Sequence, residues 1–247
     1  MENSAINILD ETGKLKPKSE FLGEMAKLYE TYQQDAMSGF AYLDYLTSEE
    51  NQINVESTYR TFNFLSRYFY ISEEITTDTA NKFHQFVNFW NEVESIDNTP
   101  ADELIPLQIY INSEGGDLDA AFSIISIMES SKIPVQTHVY GRAWSCAFFI
   151  AMCGHKRTAE KYSSFLFHEG SALFGENAHK FIQFSDFYKV NLEQIRQLTT
   201  HHTSITEADY QLHKSDDWWL TANEALKYGI IDEITTEIIT HSGGIIE

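Results

Sequence analysis

From about residue 61 onward the sequence predicts an α/β fold built on a largely parallel sheet. Two observations carry this. Short strand-like runs alternate with amphipathic helical stretches, and no repeat, low-complexity tract or Pro/Gly linker interrupts the alternation. The first strand is expected over residues 67–71, Arg-Tyr-Phe-Tyr-Ile. A helix is expected over 76–90, because Ala80, Phe83, Phe86, Val87 and Trp90 recur on one face. Residues 107–111 form the next strand, and 118–130 a helix with Ala121, Ile124, Ile125 and Met128 turned inward. A strand over 135–139 is followed by a tight turn at Gly141 and an apolar helix over 145–152. Residues 164–167 make another strand. A long helix over about 177–200 and a short one over 224–228, ending at Gly229, complete the pattern.

Residues 1–60 read differently and are expected to form a helical N-terminal extension to a domain spanning 61–247. Phe21, Leu22, Met25, Leu28 and Tyr32 follow helical spacing, and an aromatic cluster comes at Phe40, Tyr42 and Tyr45. No chemistry is visible there, and a packing arm or oligomer contact is the expected role.

A chain of 247 residues can bury a sizeable core, and a hydrophobic content of 43% is that of an ordered globular protein. The 17 Lys and Arg face 37 Asp and Glu, for a net charge of −20. Such a surface repels polyanions, so neither nucleic acid nor an anionic membrane is expected as a partner. Cys146 and Cys153 lie in one apolar run, too far apart along a helix for a disulfide; buried free thiols in a reducing compartment are expected. The first residues have neither the basic start nor the apolar stretch of a signal peptide, and the apolar run 143–153 is too short to span a bilayer. A cytoplasmic protein is expected.

Four short segments could carry chemistry, and each also has a plain structural reading. Asn112-Ser-Glu-Gly115-Gly116-Asp117 joins a strand to a helix. Paired glycines permit positive φ and expose N–H groups that suit a developing negative charge, but Gly-Gly turns before helices are common. In Gly141-Arg-Ala-Trp-Ser145-Cys-Ala, Ser145 opens an apolar helix. It is either a helix cap or a nucleophile beside helix N–H groups, although the segment is not the G-x-S-x-G elbow. His168 ends the strand Phe165-Leu-Phe, where it is either a satisfied core histidine or a catalytic group at a strand end. Asp216 and Asp217 precede Trp-Trp-Leu-Thr221, where the acids could be solvated and Thr221 a cap. Taken together, a hydroxyl nucleophile needs a base within reach, and the base needs an acceptor to fix its tautomer. The chain supplies Ser, His and Asp in that order, after a Gly-Gly turn.

At these residues the sequence resembles the proteolytic subunits of the Clp protease, from about Phe62 to Glu233. Leu107-Gln-Ile-Tyr-Ile-Asn-Ser-Glu-Gly-Gly116 resembles the family's strand and oxyanion turn, and Gly141-Arg-Ala-Trp-Ser145 its G-x-A-x-S motif. Phe167-His168 and the run from Asp217 through Gly229-Ile-Ile-Asp match its histidine motif and C-terminal signature. The resemblance implies the α/β spiral of ββα units shared with the crotonases. It implies Ser145 as nucleophile, His168 as base and acid, and Asp217 as orienting carboxylate, with Asp216 the alternative one residue away. The N–H groups of Gly116 and Cys146 would form the oxyanion hole. It also implies a homo-oligomeric ring, protein or peptide substrates, and an AAA+ ATPase partner that feeds them.

The sequence departs from the family at four places. Glu114 stands for a proline before the glycine pair, Trp144 for an alanine before the nucleophile, and Cys146 for methionine. Glu169-Gly-Ser-Ala-Leu-Phe-Gly-Glu-Asn177 replaces Gln-Pro and a glycine-rich strand. A serine endopeptidase working through an acyl-enzyme is the expectation. A virion or assembly maturation protease without an ATPase, and a non-catalytic scaffold subunit, are the alternatives. A crotonase-like acyl-CoA enzyme lacks a basic site for the CoA phosphates. No cofactor is expected: the chain has no G-x-x-x-x-G-K-[ST] loop. No metal is expected either, because neither cysteine nor paired carboxylate completes a set around His201, His202 and His213.

Overall fold

The alternation is realised as a seven-stranded sheet with helices between its strands. The computed structural model describes residues 60, 63, 64, 66–170 and 177–235. The helix expected over 21–32 and the aromatic cluster after it lie outside these residues. The strands are β1 (Tyr68–Ile71), β2 (Leu107–Ser113), β3 (Val135–Trp144), β4 (Arg157–Glu160), β5 (Ser164–Phe167), β6 (Trp218–Thr221) and β7 (Glu233–Thr235). The helices are α1 (Thr77–Asp97), α2 (Leu118–Ser130), α3 (Cys146–Met152), α4 (Ala178–His202), α5 (Glu207–His213) and α6 (Ala222–Lys227).

The described residues divide into two units. One comprises 68–85 and the residues from 106 onward; the other comprises those up to Arg67 and 86–105. In the smaller unit, Arg67 lies 4.1 Å over the Trp90 ring, pairs with buried Glu94, and donates to the Ile105 carbonyl at 2.8 Å. The guanidinium is thus satisfied on several sides, as a buried charge must be.

In the larger unit the strand order is β1-β2-β3-β4-β7, all parallel. Strand β2 alternates strictly: Leu107, Ile109, Ile111 and Ser113 are buried, while Gln108, Tyr110 and Asn112 turn to the other face. The period-2 pleat explains this. Helix α2 begins where expected, with Asp117 accepting from the Ala120 amide at 2.7 Å, and buries Ala121, Ile124, Ile125 and Met128. All seven residues of α3 are buried, which is why that helix is apolar all round.

Several elements differ from expectation. The expected break at Gly141 is absent, since β3 continues to Trp144. The β2–β3 register shifts between Ile111 and Ser113, so this stretch is an irregularity in the ladder and not a turn. Gly141 is needed there because a Cβ would come within 2.4 Å of Asn112 Oδ1, which accepts from the Arg142 amide at 3.2 Å. Helix α1 runs on to Asp97. Strands β4, β6 and β7 and helix α5 are additional; each is short, and a run of three to seven residues carries little periodic signal.

Arg157 ties three chain segments together. Its guanidinium donates to the carbonyls of Met152 at 3.3 Å and Gly229 at 2.8 Å, to that of His202, and to the Asp232 carboxylate. Burial acts to raise the Asp232 pKa, but hydrogen bonds from Arg157 outweigh it and the net shift is downward. Arg157→Ala should therefore destabilise the fold by about 2–4 kcal/mol, since it orphans several acceptors at once. Arg157→Lys should not restore stability, because one ammonium cannot replace the fork. Because the folded-state pKa of Asp232 is lowered, its contribution is present at neutral pH and lost as pH falls through that value. Denaturant melts of the three proteins at neutral and acid pH check this; a wild-type midpoint for the alanine variant would contradict it.

Candidate active site

Strand β3 is long enough to pair twice. Its first half pairs with β4, and Arg142, Ala143 and Trp144 pair with Ser164, Phe165 and Leu166 of β5. Ser145 follows on the turn into α3, with φ 54° and ψ −123°. A positive φ is strained for a serine and persists only where the surroundings impose it. Here they do: the Ser145 amide donates to the Leu166 carbonyl at 2.9 Å, and its carbonyl accepts from Phe148 at 2.9 Å. The side chain makes no cap bond. Its Oγ lies instead 2.7 Å from His168 Nε2.

His168 stands one residue beyond β5. The antiparallel β5–β6 ladder pairs Phe167 with Trp218, so the next step along both strands sets His168 beside Asp217. His168 Nδ1 is 3.1 Å from Asp217 Oδ1. A carboxylate can only accept, so Nδ1 carries the proton and Nε2 is left to accept from the Ser145 hydroxyl. The side chains of His168 and Asp217 are 31% and 58% exposed, so the pair borders solvent while Ser145 adjoins the core. Asp216 is held differently, its amide donating to the His213 carbonyl at 3.1 Å. Asp217 is the acid that meets the histidine.

Aromatic packing backs the ladder from behind. Buried Phe167 meets Phe148, Phe149, Tyr210 and Trp218 at centroid distances of 5.5–6.2 Å. Trp218 in turn stacks on His213 at 3.9 Å. Thr221, a cap candidate in the sequence, does cap α6, in a capping box with Glu224.

The glycine pair abuts the Ser145 turn. Gly115 has φ 102° and Gly116 φ 149°. A Cβ on Gly115 would come 2.7 Å from the Trp144 carbonyl and 2.8 Å from Ser145 Cβ. The Ile75 amide donates to the Gly115 carbonyl, and the Asp117 amide to the Ile75 carbonyl, both at 2.8 Å. Cys146 Sγ donates to the Gly116 carbonyl at 3.1 Å, so these two residues touch. As the first residue of α3, Cys146 has an amide with no intrahelical acceptor. Both cysteines are free and buried, and burial pushes the Cys146 thiol up to about 11.

Two tyrosines with no distinguishing motif also reach the site. The Tyr210 hydroxyl donates to Glu169 Oε1 at 2.6 Å, and the Tyr188 hydroxyl donates to the Glu169 carbonyl at 3.2 Å. They secure the residue after His168. Tyr210 lies on α5, an element too short to be read from periodicity, so nothing in the sequence marked it. The two other departures form a surface cluster. Arg142 pairs with Glu114 at 2.7 Å and lies 5.0 Å over Trp144, whose indole N–H donates to Ser164 Oγ at 3.1 Å. The ion pair is largely exposed and contributes little to stability.

Comparison with known proteins agrees with the fold. The family model described as Clp protease matches residues 52–238. Among similar proteins is the ATP-dependent Clp protease proteolytic subunit of Deinococcus radiodurans, 30% identical over 141 residues, which are 56% of this chain and 69% of that protein. The ATP-dependent Clp protease proteolytic subunit 2 of Rhodococcus jostii is 25% identical over 80% of this chain and 98% of its own length. Its namesake from Mycolicibacterium paratuberculosis is 27% identical over 72% of this chain and 86% of its own. With the match covering most of its length, the chain belongs to the Clp protease family.

Proposed function

We propose that this chain is a serine endopeptidase that cleaves peptide bonds through an acyl-enzyme. One observation carries the reading: Ser145 Oγ, His168 and Asp217 form a continuous hydrogen-bonded chain, 2.7 Å and 3.1 Å per link. Ser145 Oγ attacks the scissile carbonyl while His168 Nε2 takes its proton. Asp217 holds the Nδ1–H tautomer and stabilises the imidazolium. The amides of Gly116 and Cys146 donate to the oxyanion of the tetrahedral intermediate. His168 then protonates the leaving amine, and water, activated by the same histidine, releases the acyl group.

The relatives are named as proteolytic subunits of ATP-dependent proteases. By extension this chain works as a subunit of a homo-oligomeric ring in the cytoplasm, with residues 1–60 as an extension and an AAA+ ATPase delivering substrate. No helix among the described residues is long and apolar enough to cross a membrane. A fluorophosphonate probe should label the full-length protein at Ser145, and Ser145→Ala should lose both labelling and peptide cleavage. Degradation of a folded substrate should require a Clp ATPase and ATP. An assembled, folded sample that stays unlabelled overturns the peptidase reading; degradation without the ATPase overturns only the partner.

A further inference from the structure

Where the family has methionine after its nucleophile, this chain has Cys146, and a thioether has no proton to donate. The Cys146 thiol does donate, to the Gly116 carbonyl at 3.1 Å. Its setting makes that contact more than incidental. Gly116 sits at φ 149°, with soft dihedrals on both sides and no Cβ to limit them. Its N–H is coplanar with the Gly115 carbonyl, which accepts from Ile75 at 2.8 Å. Its own carbonyl is coplanar with the Asp117 N–H, which donates back to the Ile75 carbonyl at 2.8 Å. Those two bonds tie the turn to the segment at Ile75. The thiol ties it to α3, directly beside Ser145.

Two further facts suit the thiol to this role. Cys146 is 4% exposed and opens a helix buried along its whole length, so the side chain has no room to swing away. Burial, working against weaker opposing influences from the Gly116 backbone and the Ser145 side chain, leaves the thiol protonated at neutral pH. The proton to be donated is therefore present.

We infer that Cys146 is a positioning residue, whose S–H bond to the Gly116 carbonyl keeps the Gly116 amide in register with Ser145 and with its own amide. The inference rests on the peptidase reading above, in which those two amides receive the oxyanion. An S–H···O bond is weak by itself. Its effect is on orientation, and an oxyanion donor acts only when aimed at the place where charge develops.

The test compares Cys146→Ala with Cys146→Ser in the full-length protein. The alanine variant loses the donor, whereas serine retains one. Cys146→Ala should lower kcat for a fluorogenic peptide about tenfold with KM nearly unchanged, and Cys146→Ser should stay within about threefold of wild type. A role in packing alone would lower the melting temperature of both variants and leave kcat below that temperature unchanged. Equal kcat losses in the two variants, or full kcat in the alanine variant, overturns the inference. A second readout does not depend on catalysis. The infrared S–H stretching band that disappears in Cys146→Ala should lie at lower frequency than that of a free thiol; a free-thiol frequency also overturns it. Should the wild-type protein resist fluorophosphonate labelling, the peptidase reading falls, and the S–H band still decides whether the thiol holds the turn.

Discussion

Replacing His168 with alanine is expected to lower kcat for peptide hydrolysis by about 10⁶-fold, the order found when the base of such a hydrogen-bonded set is removed. The physical reason is that Ser145 is a poor nucleophile while its proton has nowhere to go, and Nε2 at 2.7 Å is the acceptor in place. Asp217→Asn should cost about 10⁴-fold, because an amide can donate to Nδ1 and so favour the wrong tautomer. Both variants should melt close to the wild-type temperature, since the His168 and Asp217 side chains are 31% and 58% exposed and fill no cavity. Single-turnover assays with a fluorogenic peptide measure the losses. A His168→Ala protein retaining a tenth of wild-type kcat would remove the histidine from the proposed mechanism. Full activity in Asp217→Asn would do the same for the carboxylate, and Asp216 would be the next position to test.

The second large effect is expected at Gly116. A Cβ there would lie 2.3 Å from the Ile75 carbonyl oxygen and 2.7 Å from its nitrogen, both backbone atoms that cannot rotate aside. The position also has φ 149°, which an L side chain rarely adopts. Strain and overpacking together should make Gly116→Ala destabilising by roughly 3–5 kcal/mol. Any protein that folds should have lost most of its peptidase activity, because relief of the clash must move the turn away from Ile75 and Ser145. Urea denaturation and fluorophosphonate labelling rate measure the two consequences. An alanine variant with wild-type midpoint and wild-type labelling would show that the turn has slack which the geometry denies it. Gly115→Ala provides a graded companion, since its Cβ would meet the Trp144 carbonyl at 2.7 Å and Ser145 Cβ at 2.8 Å.

Much of the fold was legible in the sequence, and the reason differs by element. Helix α2 could be read to its end residues because its apolar face has a clean helical period; Asp117 proves to be its N-cap. Strand β5 was equally plain as a short apolar run. Strand β3 runs beyond its expected end: Gly141 signals a turn in isolation, but here it makes room for Asn112 within a continuing strand. Strand β6 was hidden, since Trp218-Trp-Leu-Thr221 is too short to show a period and adjoins an acidic pair. This strand positions the acid, for the antiparallel pairing of β5 with β6 is what sets Asp217 beside His168. Tyr210 and Tyr188 were invisible for a related reason. Their hydroxyls serve Glu169 across 41 and 19 residues of chain, and no local pattern encodes a partner that distant.

By itself, the sequence determined the α/β class, the parallel core and the family, because periodicity and ordered motifs are local properties that survive without coordinates. It also nominated Ser145, His168 and Asp217, each with an ordinary structural reading equally available. Only the tertiary structure shows which atoms adjoin them, because a cap, a core histidine and a solvated acid differ from a hydrogen-bonded chain solely in what lies within 3 Å or so of each polar atom. Strand β3 pairing with β5, and β5 with β6, brings residues 23 and 49 positions apart into bonding reach. The parallel pairing of β2 with β3, which sets Ser113 opposite Ala143, brings the glycine turn beside Cys146, where a buried thiol becomes a hydrogen-bond donor.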